Sequence, residues 1–178
     1  MNNLFSRLPM AVLVLCAATV AAGQTPHVKY AEGVFVGYRY YASANIKALF
    51  PFGFGLSYTK FSFSNLKLSA SSVPAGGSLE VSFDVTNSGD RAGAEVAEVY
   101  VGDPSAHVQR PAKELKGFAK VRLGPGQHQH VSLVLDPRAF SYWSDDSHDW
   151  RIDPGRFVVY AGDSSEDTPL SADVNVGN

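Results

Sequence analysis

The sequence predicts an all-β sandwich of about seven short strands, preceded by an irregular aromatic segment. Three observations carry that reading: strict period-two alternation in residues 79–85, short apolar runs parted by Gly- and Pro-rich turns beyond residue 60, and a crowd of aromatic side chains without sustained period before it. In Leu79-Glu80-Val81-Ser82-Phe83-Asp84-Val85, Leu79, Val81, Phe83 and Val85 share one face. One face then lies in a core and the other in water, as each layer of a two-sheet sandwich requires.

The first 23 residues read as a secretory signal peptide rather than as part of the fold. Arg7 supplies a positive start, Leu8 to Val20 is mostly apolar, and Ala21-Ala22-Gly23 offers small residues for cleavage before Gln24. The apolar run is too short for a spanning helix. The sole cysteine, Cys16, lies within it, and the bulky Leu15 before Cys16 fits a lipoprotein signal poorly. The expected location is secreted or periplasmic, with a core unaided by disulfides.

Residues 24–59 form the aromatic extension. Between Tyr30 and Phe63 stand 11 of the protein's 21 aromatic residues, a density that demands a covering surface. Its last stretch, Leu49-Phe50-Pro51-Phe52-Gly53-Phe54-Gly55-Leu56-Ser57-Tyr58-Thr59, carries a proline without an N–H and two glycines, so an extended, packed loop is expected.

Residues 60–178 form the sandwich. Phe61 and Phe63, with Leu66 and Leu68, form a first strand. Val73 to Gly77 is a turn, as is Asn87 to Gly93. In the strand from Ala94 to Val101, Ala97, Val99 and Val101 oppose Val96, Glu98 and Tyr100, so a central or covered strand is expected. A loop with Pro104 and Pro111 leads to a strand around Leu115, Phe118 and Val121, and then to one in which Val131, Leu133 and Leu135 point inward. Phe140 to Trp143 and Trp150 to Ile152 make a hairpin, Arg156 to Ala161 a strong strand, and Ala172 to Val176 a weaker edge. Such short strands fit an immunoglobulin-like or fibronectin type III-like sandwich.

A formal charge of -2 with scattered signs gives no basic stripe, which argues against nucleic-acid or anionic-membrane binding. Candidate chemistry is sparse. Asp145, Asp146, His148 and Asp149 have turn composition and lack calcium-loop spacing. His128 and His130 share a strand face but have no evident third ligand. Asp163 and Asp167 read as an exposed acidic turn. No metal or cofactor is expected. The residues singled out are those suited to an interface or to sugar stacking: Tyr38, Arg39, Tyr40, Tyr41, Phe52, Phe54, Trp143 and Trp150. Packing is the competing reading, with Trp143 and Trp150 stacking across their hairpin.

Several motifs in order carry a family resemblance. Glu32 to Tyr41, Leu49 to Thr59, Asn87 to Val96, Arg110 to Phe118 and Trp150 to Phe157 together resemble the C-terminal region of family-3 glycoside hydrolases of the β-glucosidase type. The resemblance implies that the extension closes the second domain of a catalytic region and that the rest is a fibronectin type III-like domain. The family's nucleophile and acid/base lie in segments upstream of the residues matched, so no residue inherits a catalytic role. A non-catalytic accessory or interaction domain is therefore expected, with a glycosidase catalytic domain, self-association or a carbohydrate as candidate partners. Membership of an active β-glucosidase and a carbohydrate-binding module are the alternatives.

Overall fold

In the computed structural model, residues 28–177 are described; the segment read as a signal peptide lies outside them. The chain divides into a unit ending at Ala31, of which Val28 to Ala31 are exposed and irregular, and a second unit, Glu32–Asn178. The second unit is all-β apart from one short helix and a 3-10 turn. In chain order it contains α1 (Tyr38–Ser43), β1 (Phe61–Leu68), β2 (Ser72–Val73), β3 (Leu79–Asn87), β4 (Gly93–Gly102), β5 (Glu114–Leu123), β6 (His128–Leu135), β7 (Tyr142–Ser144), β8 (Asp149–Arg151), β9 (Gly155–Gly162) and β10 (Leu170–Val176). The fold class is the one expected: seven of the ten strands are seven residues or longer, and β2, β7 and β8 are two- and three-residue pieces. Among the described residues no helix is long and apolar enough to cross a membrane.

Two sheets enclose the core, ordered β1-β3-β6 and β2-β10-β9-β4-β5. From β3 come Leu79, Val81, Phe83 and Val85, each fully buried, and from the facing sheet come Ala97, Val99, Phe157, Val159 and Ala161. Phe63 lies 6.1 Å from Phe83, and Phe140 meets Phe157 edge to face at 5.4 Å. The alternation that marked β3 in the sequence is thus the imprint of this core.

Strand β1 carries a β-bulge. Ser64 pairs with Asp84 but Lys67 with Ser82, and Asn65 at the bulge takes a positive φ of 58° while its amide donates to Asp84. The extra residue lets Phe61, Phe63, Leu66 and Leu68 all turn toward the core. A second bulge, between Val99 and Tyr100 on β4, falls where Lys116 is the extra residue of β5. Of the residues around which this strand was expected, Val121 faces the core with Ala119 and Leu123, and Phe118 is 66% exposed on the outer face.

Three further expectations change. Phe140 is not in a strand; Pro137–Ala139 form a 3-10 turn capped by Asp136, which drops Phe140 into the core before β7 starts. β10 is an edge only in part, because β2 pairs with it in parallel at Asn175 and Val176. The turn from Asp163 to Asp167 is not simply exposed: Ser164 and Ser165 are buried, and the Ser165 N–H donates to the Phe52 carbonyl at 2.7 Å.

These burials set a contrast in stability. Phe83→Ala removes a fully buried ring and is expected to cost about 3–5 kcal/mol. Phe54→Ala, at a half-exposed ring, is expected to cost far less in the same denaturant titration.

Candidate interaction surface

Strand β4 is central in its sheet and apolar on both faces. Val99 and Val101 point into the sandwich, so Tyr100 must find cover on the outer face, and it is fully buried there. The cover is the chain's own segment from Tyr38 to Thr59. Tyr38 meets the Tyr100 ring edge to face at 5.8 Å and the Phe52 ring at 5.3 Å. Part of the aromatic extension therefore packs on the sandwich itself, where the sequence suggested only an absent upstream surface.

Polar contacts hold this strap at both ends. At the start, the Leu115 N–H donates to the Tyr38 hydroxyl at 2.9 Å, the Ala112 N–H to Ser43 Oγ at 3.0 Å, and Arg39 pairs with Glu114 at 3.3 Å. Glu114 also binds Arg110 at 3.0 Å and Lys116 at 3.4 Å. Burial would raise the Glu114 carboxyl, but Lys116, Arg110 and Arg39 together hold it below the usual range. At the far end, Thr59 Oγ1 donates to Asn87 Oδ1 at 2.6 Å.

Asn87 is fully buried and uses its whole side chain. Its Oδ1 also accepts from the Gly89 N–H, and its Nδ2 donates to the Arg91 and Leu123 carbonyls at 2.7 and 3.0 Å. The sequence marked this residue as turn material; its role as a joint between strap, turn and β5 depends on long-range contacts that local pattern does not show.

Between the two ends the strap crosses Glu98 and Asp163. Gly53, at φ 87°, comes so near that a Cβ there would lie 2.6 Å from Glu98 Oε2 and 2.7 Å from the Asp163 carbonyl. Glu98 is 4% exposed and accepts a short hydrogen bond from the Tyr100 hydroxyl. Burial pushes the carboxyls of Glu98 and Asp163 up. Beside them, Lys113 Nζ sits 5.3 Å from the ring centres of both Tyr100 and Tyr160 and donates to Thr168. Burial lowers its pKa against the opposing pull of Glu166 and Asp167.

Of the residues singled out from sequence, Tyr38, Arg39 and Phe52 converge on this contact. Tyr40 and Tyr41 meet each other edge to face at 5.9 Å and stay exposed, as does Phe54, 5.6 Å from Phe50. Leu49, Leu56 and Tyr58 are 87%, 95% and 89% exposed, so the strap turns a second apolar side outward. Trp143 and Trp150 lie apart from it on the β7–β8 hairpin, directly paired with rings 5.7 Å apart and 72° to one another. The Arg138 guanidinium covers a Trp150 face at 3.8 Å. That hairpin offers no coplanar pair of rings for a sugar to stack upon.

His128 and His130 are exposed, with His130 bonded to Asp84 at 2.7 Å, and Asp145 to Asp149 are exposed at the hairpin tip. Among the described residues, no group of three His, Cys, Asp or Glu is arranged to hold a metal ion.

Comparison with known proteins follows the same outline. The fibronectin type III-like domain family matches residues 95–165, within the sandwich just described. The chain carries a fibronectin type III-like domain and resembles the C-terminal part of family-3 β-glucosidases. It is 45% identical over 156 residues to thermostable beta-glucosidase B of Acetivibrio thermocellus, covering 88% of this chain and 21% of that protein. An exo-alpha-(1->6)-L-arabinopyranosidase of Bifidobacterium breve is 42% identical, with coverage of 82% and 19%. The solved β-glucosidase of Bifidobacterium adolescentis superposes with a TM-score of 0.80 at 42% identity, over 88% of this chain and 23% of that one. The chain thus spans about a fifth of the length of the relatives it matches. The matched share is larger than the sandwich alone and takes in most of the strap's length.

The joint at Asn87 yields a test. Asn87→Ala leaves the Arg91 and Leu123 carbonyls without this donor and the Thr59 hydroxyl without its acceptor. At about 1–3 kcal/mol for each buried group left unpaired, the expected loss is on the order of 3 kcal/mol in chemical denaturation.

Proposed function

We propose that this protein is a non-catalytic accessory domain, exported from the cytoplasm, whose strap and outer sheet face dock against a glycosidase catalytic region. The carrying observation is the outward apolar side of residues 49–58, which remains uncovered after Tyr38 packs against Tyr100 and Phe52 against Tyr38. Burying a large apolar side chain contributes about 1.5–3 kcal/mol, so Leu49, Phe50, Leu56 and Tyr58 together represent a substantial drive toward a partner.

The comparisons support an accessory rather than a substrate-choosing role. Proteins named for β-glucosidase and for arabinopyranosidase activity are nearly equally similar to this chain, although those names imply different sugars. A region shared by both is better suited to supporting a catalytic region than to selecting its sugar. A second reading rests on the same apolar face: the chain is one component of an active glycosidase whose catalytic carboxylates come from a separate chain. Hydrolysis of a glycoside needs two carboxyl groups across a sugar cleft. Asp145, Asp146 and Asp149 lie on an exposed hairpin tip rather than across a cleft.

The chain from Gln24 onward is expected to give no turnover of an aryl β-glucoside above a buffer blank, and to self-associate in sizing chromatography. Turnover that disappears on substituting a carboxylate within the chain would refute the accessory role. When the full sequence is expressed in a secreting host, the mature protein is expected to begin near Gln24 by mass spectrometry.

A further inference from the structure

The crossing of the strap over Glu98 and Asp163 has an electrostatic consequence. The β4–β9 ladder pairs Glu98 with Gly162, which sets Asp163 beside Glu98; Gly53 lies against the Glu98 carboxyl and the Asp163 backbone carbonyl, and the half-buried Asp163 lines a groove with Gly53, Phe54 and Gly55. Glu98 is almost fully covered, and among the described residues its one side-chain hydrogen bond comes from Tyr100. Among the described residues, no lysine, arginine or histidine lies within ion-pair distance of Glu95, Glu98 or Asp163. A carboxylate buried without a cation is costly, and the protein relieves that cost either by protonating it or by letting water in.

We propose that residues 47–56 form a proton-gated strap, which closes over the outer face of β4 when Glu98 and Asp163 are protonated and loosens when they ionise. The surrounding charges leave the burden on these two groups. From β4, Glu95 adds a like charge to both groups, and Asp167, from the loop after β9, adds one to Asp163, while Glu166 in the same loop is exposed and accepts from the strap's Ala48 N–H at 2.7 Å. Lys113 is turned to Thr168 and to the rings of Tyr100 and Tyr160. Lys120 and Arg122 occupy the same face of β5 farther along, opposite Val96 and Ala94, and both are exposed. Lys47, on the strap, lines the groove that holds Asp163, Glu166 and Asp167, but it is exposed, where solvent screens its attraction. Tyr38 is the remaining titratable group packed against Tyr100.

The sign follows from linkage. Burial under the strap raises both carboxyls, so the closed state holds more protons than the open one just above the ordinary carboxylate range. Closure is therefore full at acidic pH and weakens as pH rises through that interval. Each pKa unit by which closure raises a carboxyl changes the closing equilibrium about tenfold.

Hydrogen exchange by NMR reads this directly, with protection factors corrected for the intrinsic pH dependence of exchange. The Ser165 amide, bonded to the Phe52 carbonyl, reports the strap, and the Phe83 amide in β3 reports the core. Between about pH 4 and pH 7, Ser165 protection is expected to fall while Phe83 protection holds. Glu98→Gln and Asp163→Asn should each flatten the Ser165 slope, and the pair together should remove it. Constant Ser165 protection in the unaltered protein, a parallel fall at Phe83, or a slope surviving both substitutions would overturn the proposal. Phe83 protection in each variant establishes that its core is folded.

Discussion

Strand β4 buries side chains on both faces, and the rest of the molecule is arranged around that constraint. Its inner face needs the β1-β3-β6 sheet, which supplies Phe83 and its neighbours. Its outer face presents Tyr100, a side chain too large and apolar to leave in water cheaply, and Glu98, a side chain too polar to cover cheaply. The strap is the solution to the first problem and the origin of the second. A glycine at position 53 is what lets backbone pass close enough to serve both.

Covering one face with an irregular segment has a conformational cost. Each ordered residue gives up about 1–2 kcal/mol of backbone entropy, and the strap has no sheet ladder of its own to offset it. It is secured instead by side-chain bonds to backbone at Leu115 and Ala112, by the Arg39–Glu114 pair, and by the Thr59–Asn87 joint. Between those fastenings the Ala48 N–H donates to Glu166 and the Phe52 carbonyl accepts from the Ser165 N–H. From Leu49 to Tyr58 the strap still keeps much of its apolar surface outside, which makes that segment adhesive. An accessory domain with such a face gains stability from whatever it docks against, and a partner gains a rigid sandwich behind the contact.

Local pattern revealed the parts whose causes are local. The alternation of β3 is written by one buried face, and the Trp143–Trp150 stack follows from a short polar turn between two strand-forming stretches. The strand at β1 was legible from Phe61, Phe63, Leu66 and Leu68, but the bulge at Asn65 that turns all four inward shows only in the pairing and in its positive φ. Phe118 stands three residues from the buried Val121 and so on the opposite face, and the bulge at Lys116 left no local sign because it comes from strand pairing rather than composition. Asn87 looked like an ordinary turn residue, since its four side-chain bonds reach Thr59, Gly89, Arg91 and Leu123. Glu98 was legible only as one residue on a strand's second face and Asp163 only as part of an exposed acidic turn. Their burial is a property of the strap lying over them, and neither residue's neighbours in sequence disclose that.

The most direct test of this account compares the unfolding of two chains, one beginning at Gln24 and one at Lys60. If the strap is an integral cover for Tyr100 and the anchor of Asn87, the chain starting at Lys60 will unfold at clearly lower denaturant concentration and expose apolar surface to a hydrophobic dye while still folded. If both chains unfold at the same midpoint with the same dye response, the strap is an appendage and the argument from the two faces of β4 is wrong.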